Sequence, residues 1–181
     1  MDTIDTYKAR KTLIVGDTNT GKTARTIEIL QLFLTAGLGA QTTVIDMAPD
    51  VIGGVGGKMP VPRMKGFRYL TETIVAPRLT AVDENQAQAL AQANARAIAK
   101  LLDCFSVQPS DILFVNDASL YLQAGDLAHF LAVLNKAETV VLNAYFGDSF
   151  PDSMLTRREK RLVRRLIENC DYTIVTSPNC L

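Results

Sequence analysis

The chain has 181 residues, 48% hydrophobic and only 21% charged, which fits one globular domain with a sizeable core and excludes extended disorder. Lys plus Arg and Asp plus Glu both total 19, so the net charge points to no nucleic-acid or anionic-membrane partner. The acidic start Met1-Asp2-Thr3-Ile4-Asp5 has no apolar leader region, and no run reaches the ~18 apolar residues of a membrane span, so the expected setting is cytoplasmic.

Thr12-Leu13-Ile14-Val15 is the first expected strand. Residues 22–36 then carry Ile27, Leu30 and Leu34 at helical spacing, widened by Ile29 and Phe33, until Gly37 and Gly39 end the pattern. Thr42-Thr43-Val44-Ile45 predicts a second strand ending at Asp46. The stretch 49–62, with Gly53, Gly54, Gly56 and Gly57, is too glycine-rich to hold a regular element by itself. Residues 83–103 predict a long helix with a seam of Ala87, Ala91, Asn94, Ile98, Leu101 and Phe105, where Asn94 reads as a hydrogen-bonded core amide. Ile112-Leu113-Phe114-Val115 is wholly apolar, as a central strand should be. A helix over 125–136, the strand Thr139-Val140-Val141-Leu142, an amphipathic helix over 156–169 and the strand Tyr172-Thr173-Ile174-Val175 complete the chain. This alternation predicts a single α/β domain over 1–181: a doubly wound, mainly parallel five-stranded sheet with helices on both faces.

Between the first strand and first helix stands Gly16-Asp17-Thr18-Asn19-Thr20-Gly21-Lys22-Thr23, a full GxxxxGK[ST] match in the context that gives it meaning. Glycines let the backbone curl so that successive N–H groups face phosphate oxygens, and the helix N-terminus adds its positive end. Lys22 is expected to reach the β- and γ-phosphates and the Thr23 hydroxyl to ligate Mg²⁺.

Two aspartates follow strands at their carboxyl ends, where such sheets bind ligands. Asp117 comes after Ile112 to Asn116 and is expected to support Mg²⁺ or orient water, with Asn116 and Asp117 competing for the place directly after the apolar run. Asp46, at the end of the second strand, is expected to face the γ-phosphate and help activate water; the plain alternative for either is a turn-capping acid.

From Thr12 to Asp50, about a quarter of the chain, the sequence resembles the SIMIBI class of P-loop NTPases, which holds partitioning and division-site ATPases, dethiobiotin-synthetase-like ligases and cofactor-assembly GTPases. The resemblance lies in the strand, the cradle, the helix and the Val44-Ile45-Asp46 strand followed by Pro49. It implies a Mg²⁺-dependent nucleotide hydrolase; the partitioning ATPases of the class carry a second lysine where this chain has Asp17, so the resemblance does not extend to a lysine-exchanging ATPase dimer. GTPases of the class read guanine with Asn-Lys-x-Asp; Asn135-Lys136-Ala137-Glu138 ends in Glu and precedes its strand, which favours ATP over GTP. Asn143, and Pro178-Asn179, are placed to touch a base edge.

The loop Gly53 to Lys58 reads as a second anion nest, a nucleotide-sensing switch or a surface crossover, and Arg63, Arg68 and Arg78 as solvated residues or phosphate ligands. The stretch 156–169 presents Arg157, Arg158, Lys160, Arg161, Arg164 and Arg165 beside an apolar face of Leu155, Leu162, Val163, Leu166 and Ile167. It reads as a solvated face, a kinase-like lid or a docking face, and it leaves a nucleic-acid partner open. His129 reads as a surface or packing residue. Cys104, Cys170 and Cys180 have no metal-ligand spacing and are expected to be free buried thiols. The expected function is an ATPase coupling nucleotide state to an unidentified partner; the alternatives are a small-molecule kinase or ATP-dependent ligase, and a non-catalytic nucleotide-binding adaptor. A homodimer is compatible with all three.

Overall fold

In a computed structural model, which describes residues 2–60 and 66–177, six strands form one sheet in which every pairing is parallel. The strands are β1 (Lys11–Gly16), β2 (Thr42–Asp46), β3 (Arg68–Thr71), β4 (Ile112–Asn116), β5 (Thr139–Tyr145) and β6 (Tyr172–Thr176), in the order β3-β2-β4-β5-β1-β6. The helices are α1 (Lys22–Thr35), α2 (Pro77–Thr80), α3 (Glu84–Val107), α4 (Ser119–Leu122), α5 (Leu127–Leu134) and α6 (Met154–Glu168). Among the described residues none of these helices is long and apolar enough to cross a membrane.

The doubly wound α/β reading holds, with one strand more than the five expected. The addition, β3, is a four-residue edge strand whose side chains are half-buried or exposed, so it lacks the apolar run that marked the other five. The central strands β2, β4 and β5 are buried along their length, and their side chains alternate between two cores. Leu113, Val115, Leu142 and Ala144 face a core shared with Ile98 and Phe105 of α3, Phe130 of α5 and Val163 of α6. Ile112, Phe114 and Val141 face the opposite core, closed by Ile29, Leu30 and Phe33 of α1 and by Tyr7.

Helix ends follow local chemistry. Asp83 caps α3 by accepting from Gln86 N–H at 2.7 Å, Asp126 caps α5, and Ser153 caps α6 by accepting from Thr156 N–H at 3.1 Å. The helix expected over 125–136 is shorter, because Gly125 and the Asp126 cap break it from α4. Asn94 is buried and grips the backbone of Val75 twice, accepting from its N–H at 3.2 Å and donating to its carbonyl at 2.9 Å. The core-amide reading therefore holds, and Asn94 also fixes the segment that carries Ala76 to Arg78 toward the sheet's carboxyl edge.

The glycine-rich stretch is more regular than its composition predicts. Ile52 and Val55 exchange both backbone hydrogen bonds, at 3.1 and 3.0 Å, around Gly53 and Gly54. Both glycines have positive φ, 58° and 77°, as a tight two-residue hairpin turn requires. Arg63 lies outside the described residues, as do Pro178, Asn179 and Cys180. Of the other thiols, Cys104 is exposed rather than buried and Cys170 is half-buried, with desolvation raising the latter's pKa to about 12.

Candidate nucleotide site at the carboxyl edge of the sheet

Strand β1 delivers the chain into the cradle at Gly16, where a side chain has no room: a Cβ there would stand 2.3 Å from Thr176 Oγ1 and 2.6 Å from its carbonyl oxygen. Beyond it the loop turns on Asn19 and Gly21, both left-handed at φ 55° and 82°, and α1 starts at Lys22. Thr20 Oγ1 ties the loop together, lying 2.9 Å from the Asp17 carbonyl and 2.7 Å from Thr176 Oγ1. Among the described residues, none accepts a hydrogen bond from the N–H groups of Asn19, Thr20 or Gly21. The first N–H groups of α1 likewise have no intrahelical partner. The loop thus gathers unused donors at a helix N-terminus.

Lys22 folds its ammonium back onto the Asp17 carbonyl. Burial lowers its pKa, while Asp117 and Asp17 act in the opposite sense. A partly desolvated cation held against a single carbonyl is poised to accept an anion. Asp17 itself turns outward from the cradle and accepts from the N–H groups of Thr18 at 2.6 Å and Asp148 at 3.0 Å. Burial pushes its carboxyl up, but hydrogen bonds from the Ser149 side chain and the Asp148, Thr18 and Ser149 backbone outweigh this and lower the pKa. Gly147 provides the space. A Cβ on it would stand 2.3 Å from Asp17 Cγ. Gly147→Ala should accordingly loosen the cradle and cost roughly 1–3 kcal/mol; an unchanged denaturation midpoint would mean that this turn does not brace the loop.

A row of polar side chains crosses the strand ends beside the cradle. Asp46 Oδ1 accepts from Asn116 Nδ2 at 2.8 Å, and Asn116 Oδ1 accepts from Asn143 Nδ2 at 2.8 Å. Asn143 also donates to Thr26 Oγ1 of α1 at 2.8 Å. The Thr23 hydroxyl donates to Asn116 Oδ1 at 3.3 Å. Directing its proton there leaves the Thr23 lone pairs for another partner. Asn116, not Asp117, is therefore the strand-end residue beside Thr23.

Asp117 comes next, in the left-handed region at φ 55°, with its N–H donated to Asn143 Oδ1 at 2.9 Å. The Ser119 hydroxyl donates to its carboxylate. Asp117 keeps some solvent access but is closely surrounded, and desolvation raises its pKa against the opposing effects of Ser119, Arg78 and Lys22, with Asp46 adding to the rise. A strained, desolvated acid at a strand end is a feature of sites built for chemistry.

The other expectations land differently. Asp46 is fully buried, and its two oxygens accept four hydrogen bonds, from Ala48 N, Asn116 Nδ2, Met59 N and the Tyr69 hydroxyl. It holds the 48–59 loop and Asn116 in register and has no oxygen turned to the cradle. Asn143 is also buried and gives both amide protons and one oxygen lone pair to the polar row, which braces Asn116 and Asp117, and it lines the same cavity as the cradle. Lys58 ties the Ala48 carbonyl, Thr71 Oγ1 and the Glu72 carbonyl together, which removes it as a phosphate contact. Arg68 reaches the Gln108 and Cys104 carbonyls at the end of α3. His129 is partly exposed and lies 3.6 Å from Asp103, away from the cradle.

One cavity of about 250 Å³ unites the parts that matter: Lys22, Thr23, Asn116 and Asp117 from the sheet edge, Gly56 and Gly57 from the glycine loop, Arg78 from α2, and Tyr145 and Phe150 from the end of β5 and the segment after it. Sequence alone leaves Arg78 between a solvated residue and a phosphate ligand. Its side chain is 12% exposed, pairs with Glu159 of α6 at 2.8 Å and lies over the rings of Phe150 and Tyr145, 3.9 and 4.9 Å from their centroids. Glu159 escaped sequence reasoning altogether because it is one acid among the basic residues of α6. It nonetheless lies on the helix's buried face, between Leu155 and Leu162. No protein-family model matches the chain, and no curated protein matches it either.

Proposed function

We propose that this chain binds a nucleoside triphosphate with Mg²⁺, ATP in preference to GTP, and hydrolyses it. The reading is supported above all by one observation: the unused N–H groups of the loop, Lys22 and the Thr23 hydroxyl converge on the same cavity as Asp117. The residues suit magnesium. That ion keeps most of its ligands as water and phosphate oxygen, so it needs few from the protein, and Thr23, turned by Asn116, offers a lone pair. Bound there, Mg²⁺ would neutralise charge on the phosphates.

The chain's own groups have separable tasks. The loop N–H groups and Lys22 bind the phosphates and orient them. Asp117 holds the attacking water and takes its proton as the water oxygen bonds to the γ-phosphorus; the bond to the bridging oxygen breaks, and the diphosphate leaves with the electron pair. Asp46 and Asn143 position Asn116 and Asp117. ATP with Mg²⁺ at 100 times its dissociation constant should stabilise the fold by about 2.7 kcal/mol, read as a rise in thermal midpoint. No rise with any nucleotide would dispose of the reading.

A second reading, transfer of the phosphoryl group to a small molecule, draws on the apolar part of the cavity lining outside the cradle, Leu79, Leu120 and Phe150. Release of inorganic phosphate without any added acceptor supports hydrolysis; release that depends on a metabolite supports transfer.

A further inference from the structure

We infer that Arg78, from α2, clamps the terminal phosphate of the bound triphosphate in the cavity it shares with Lys22, and that Glu159 and Gln123 hold it in place as positioning residues. The inference rests on the triphosphate reading above and assigns the site a second cation.

Arg78 sits at the second residue of α2, just after the segment that Asn94 anchors, and its side chain lines the same cavity as Lys22 and Asp117. Its guanidinium has five N–H groups, yet among the described residues it donates only to Glu159 Oε1, at 2.8 Å. The rest of the fork is left for a ligand in a cavity whose other cation is Lys22. Phosphate suits it, since a planar fork can grip two oxygens at once.

The support for the arm is unusually complete. Phe150 and Tyr145 flank the guanidinium and restrict its swing. Glu159 is 1% exposed, and its second oxygen accepts from Gln123 Nε2 at 2.7 Å, so the carboxylate cannot follow the arginine outward. A surface arginine requires none of this. Burying an acid is costly unless it is paired and hydrogen-bonded, and Glu159 meets both conditions only through Arg78 and Gln123.

Glu159 also tunes the clamp. The charged groups facing it are Arg78 from α2 and Asp117 from the end of β4, with the Gln123 amide beside α4. Desolvation raises its pKa to about 7, against the pull of Arg78 and the Gln123 hydrogen bond. Below that pH the neutral acid leaves the charge of Arg78 to the phosphate; above it the carboxylate competes. Triphosphate affinity should fall as pH rises through about 7.

Binding of ADP and of a non-hydrolysable ATP analogue, each with Mg²⁺, tests the proposal on the wild type, Arg78→Ala, Arg78→Lys and Glu159→Gln. Arg78→Ala should weaken the analogue by about 10- to 100-fold, one or two charge-assisted hydrogen bonds, and leave ADP within about twofold. Arg78→Lys should recover part of the loss. Glu159→Gln, which removes the charge, keeps an acceptor for Arg78 and requires the Gln123 amide to turn over so that its unpartnered oxygen accepts from the new NH2, should flatten the part of the pH dependence between about pH 6 and pH 8 that ADP does not share. Equal losses for ADP and the analogue, or none for either, would overturn the clamp while leaving the cradle intact. Glu159→Gln with an unchanged pH profile would overturn the positioning role. A wild type that binds neither nucleotide would instead sink the underlying reading, and the clamp with it.

Discussion

Lys22→Ala is expected to abolish detectable hydrolysis and to weaken triphosphate binding by roughly 100-fold, the size of two charge-assisted hydrogen bonds to phosphate. The fold should survive. Among the described residues the Lys22 side chain makes one hydrogen bond, to the Asp17 carbonyl within its own loop, and it belongs to neither hydrophobic core. Its burial lowers the ammonium's pKa, so removing it relieves a desolvation cost instead of creating one. Denaturation midpoints of variant and wild type without nucleotide should therefore agree closely, and the loss should appear only when ATP and Mg²⁺ are added. Thr23→Ala makes the complementary case: it should raise the Mg²⁺ concentration needed for half-maximal hydrolysis more than it changes binding of metal-free nucleotide. Undiminished thermal stabilisation of Lys22→Ala by ATP would refute the cradle assignment.

The cradle was legible because its chemistry is local: glycine positions, a lysine and a hydroxyl at fixed spacing between a strand and a helix. The runs of β1, β2, β4 and β5 were legible for the same reason, since burial on both faces leaves a continuous signature, whereas β6, at the sheet edge with Tyr172 and Val175 exposed, was legible from its β-branched residues. What escaped was set by tertiary contact. β3 is a strand because Thr43 to Asp46 lie beside Arg68 to Thr71, not because its own residues insist on it. Asp46 and Asn143 stand at strand ends, where ligand and packing roles look alike in sequence; only the hydrogen bonds each one makes distinguish them. Arg78 and Glu159, 81 residues apart, become a unit only when the fold brings the side chains of α2 and α6 together. A buried acid in a run of arginines was the available clue, since Glu159 falls on the same helix face as Leu155, Leu162 and Val163.

Asp117→Asn should reduce turnover by at least about 100-fold, in the range a positioned proton acceptor contributes, while nucleotide affinity stays within about threefold. The separation follows from geometry. Asp117 lines the cavity but takes no part in the cradle, and the amide that replaces it can still accept from the Ser119 hydroxyl, so the turn at φ 55° should persist. Asp46→Asn should behave in the opposite way. All four groups around Asp46 donate to it, and an amide in its place would turn its own N–H donors toward at least one of them. That mismatch should cost about 1–3 kcal/mol of stability and speed hydrogen exchange at Ala48 and Met59, whose N–H groups Asp46 holds. Turnover should fall less than in Asp117→Asn, and only so far as Asn116 loses its register beside Thr23. Single-turnover hydrolysis measured at saturating nucleotide, alongside unfolding of both variants, separates the two roles. If Asp46→Asn is stable but inactive and Asp117→Asn hydrolyses normally, the chemistry belongs to the end of β2 and not to the end of β4.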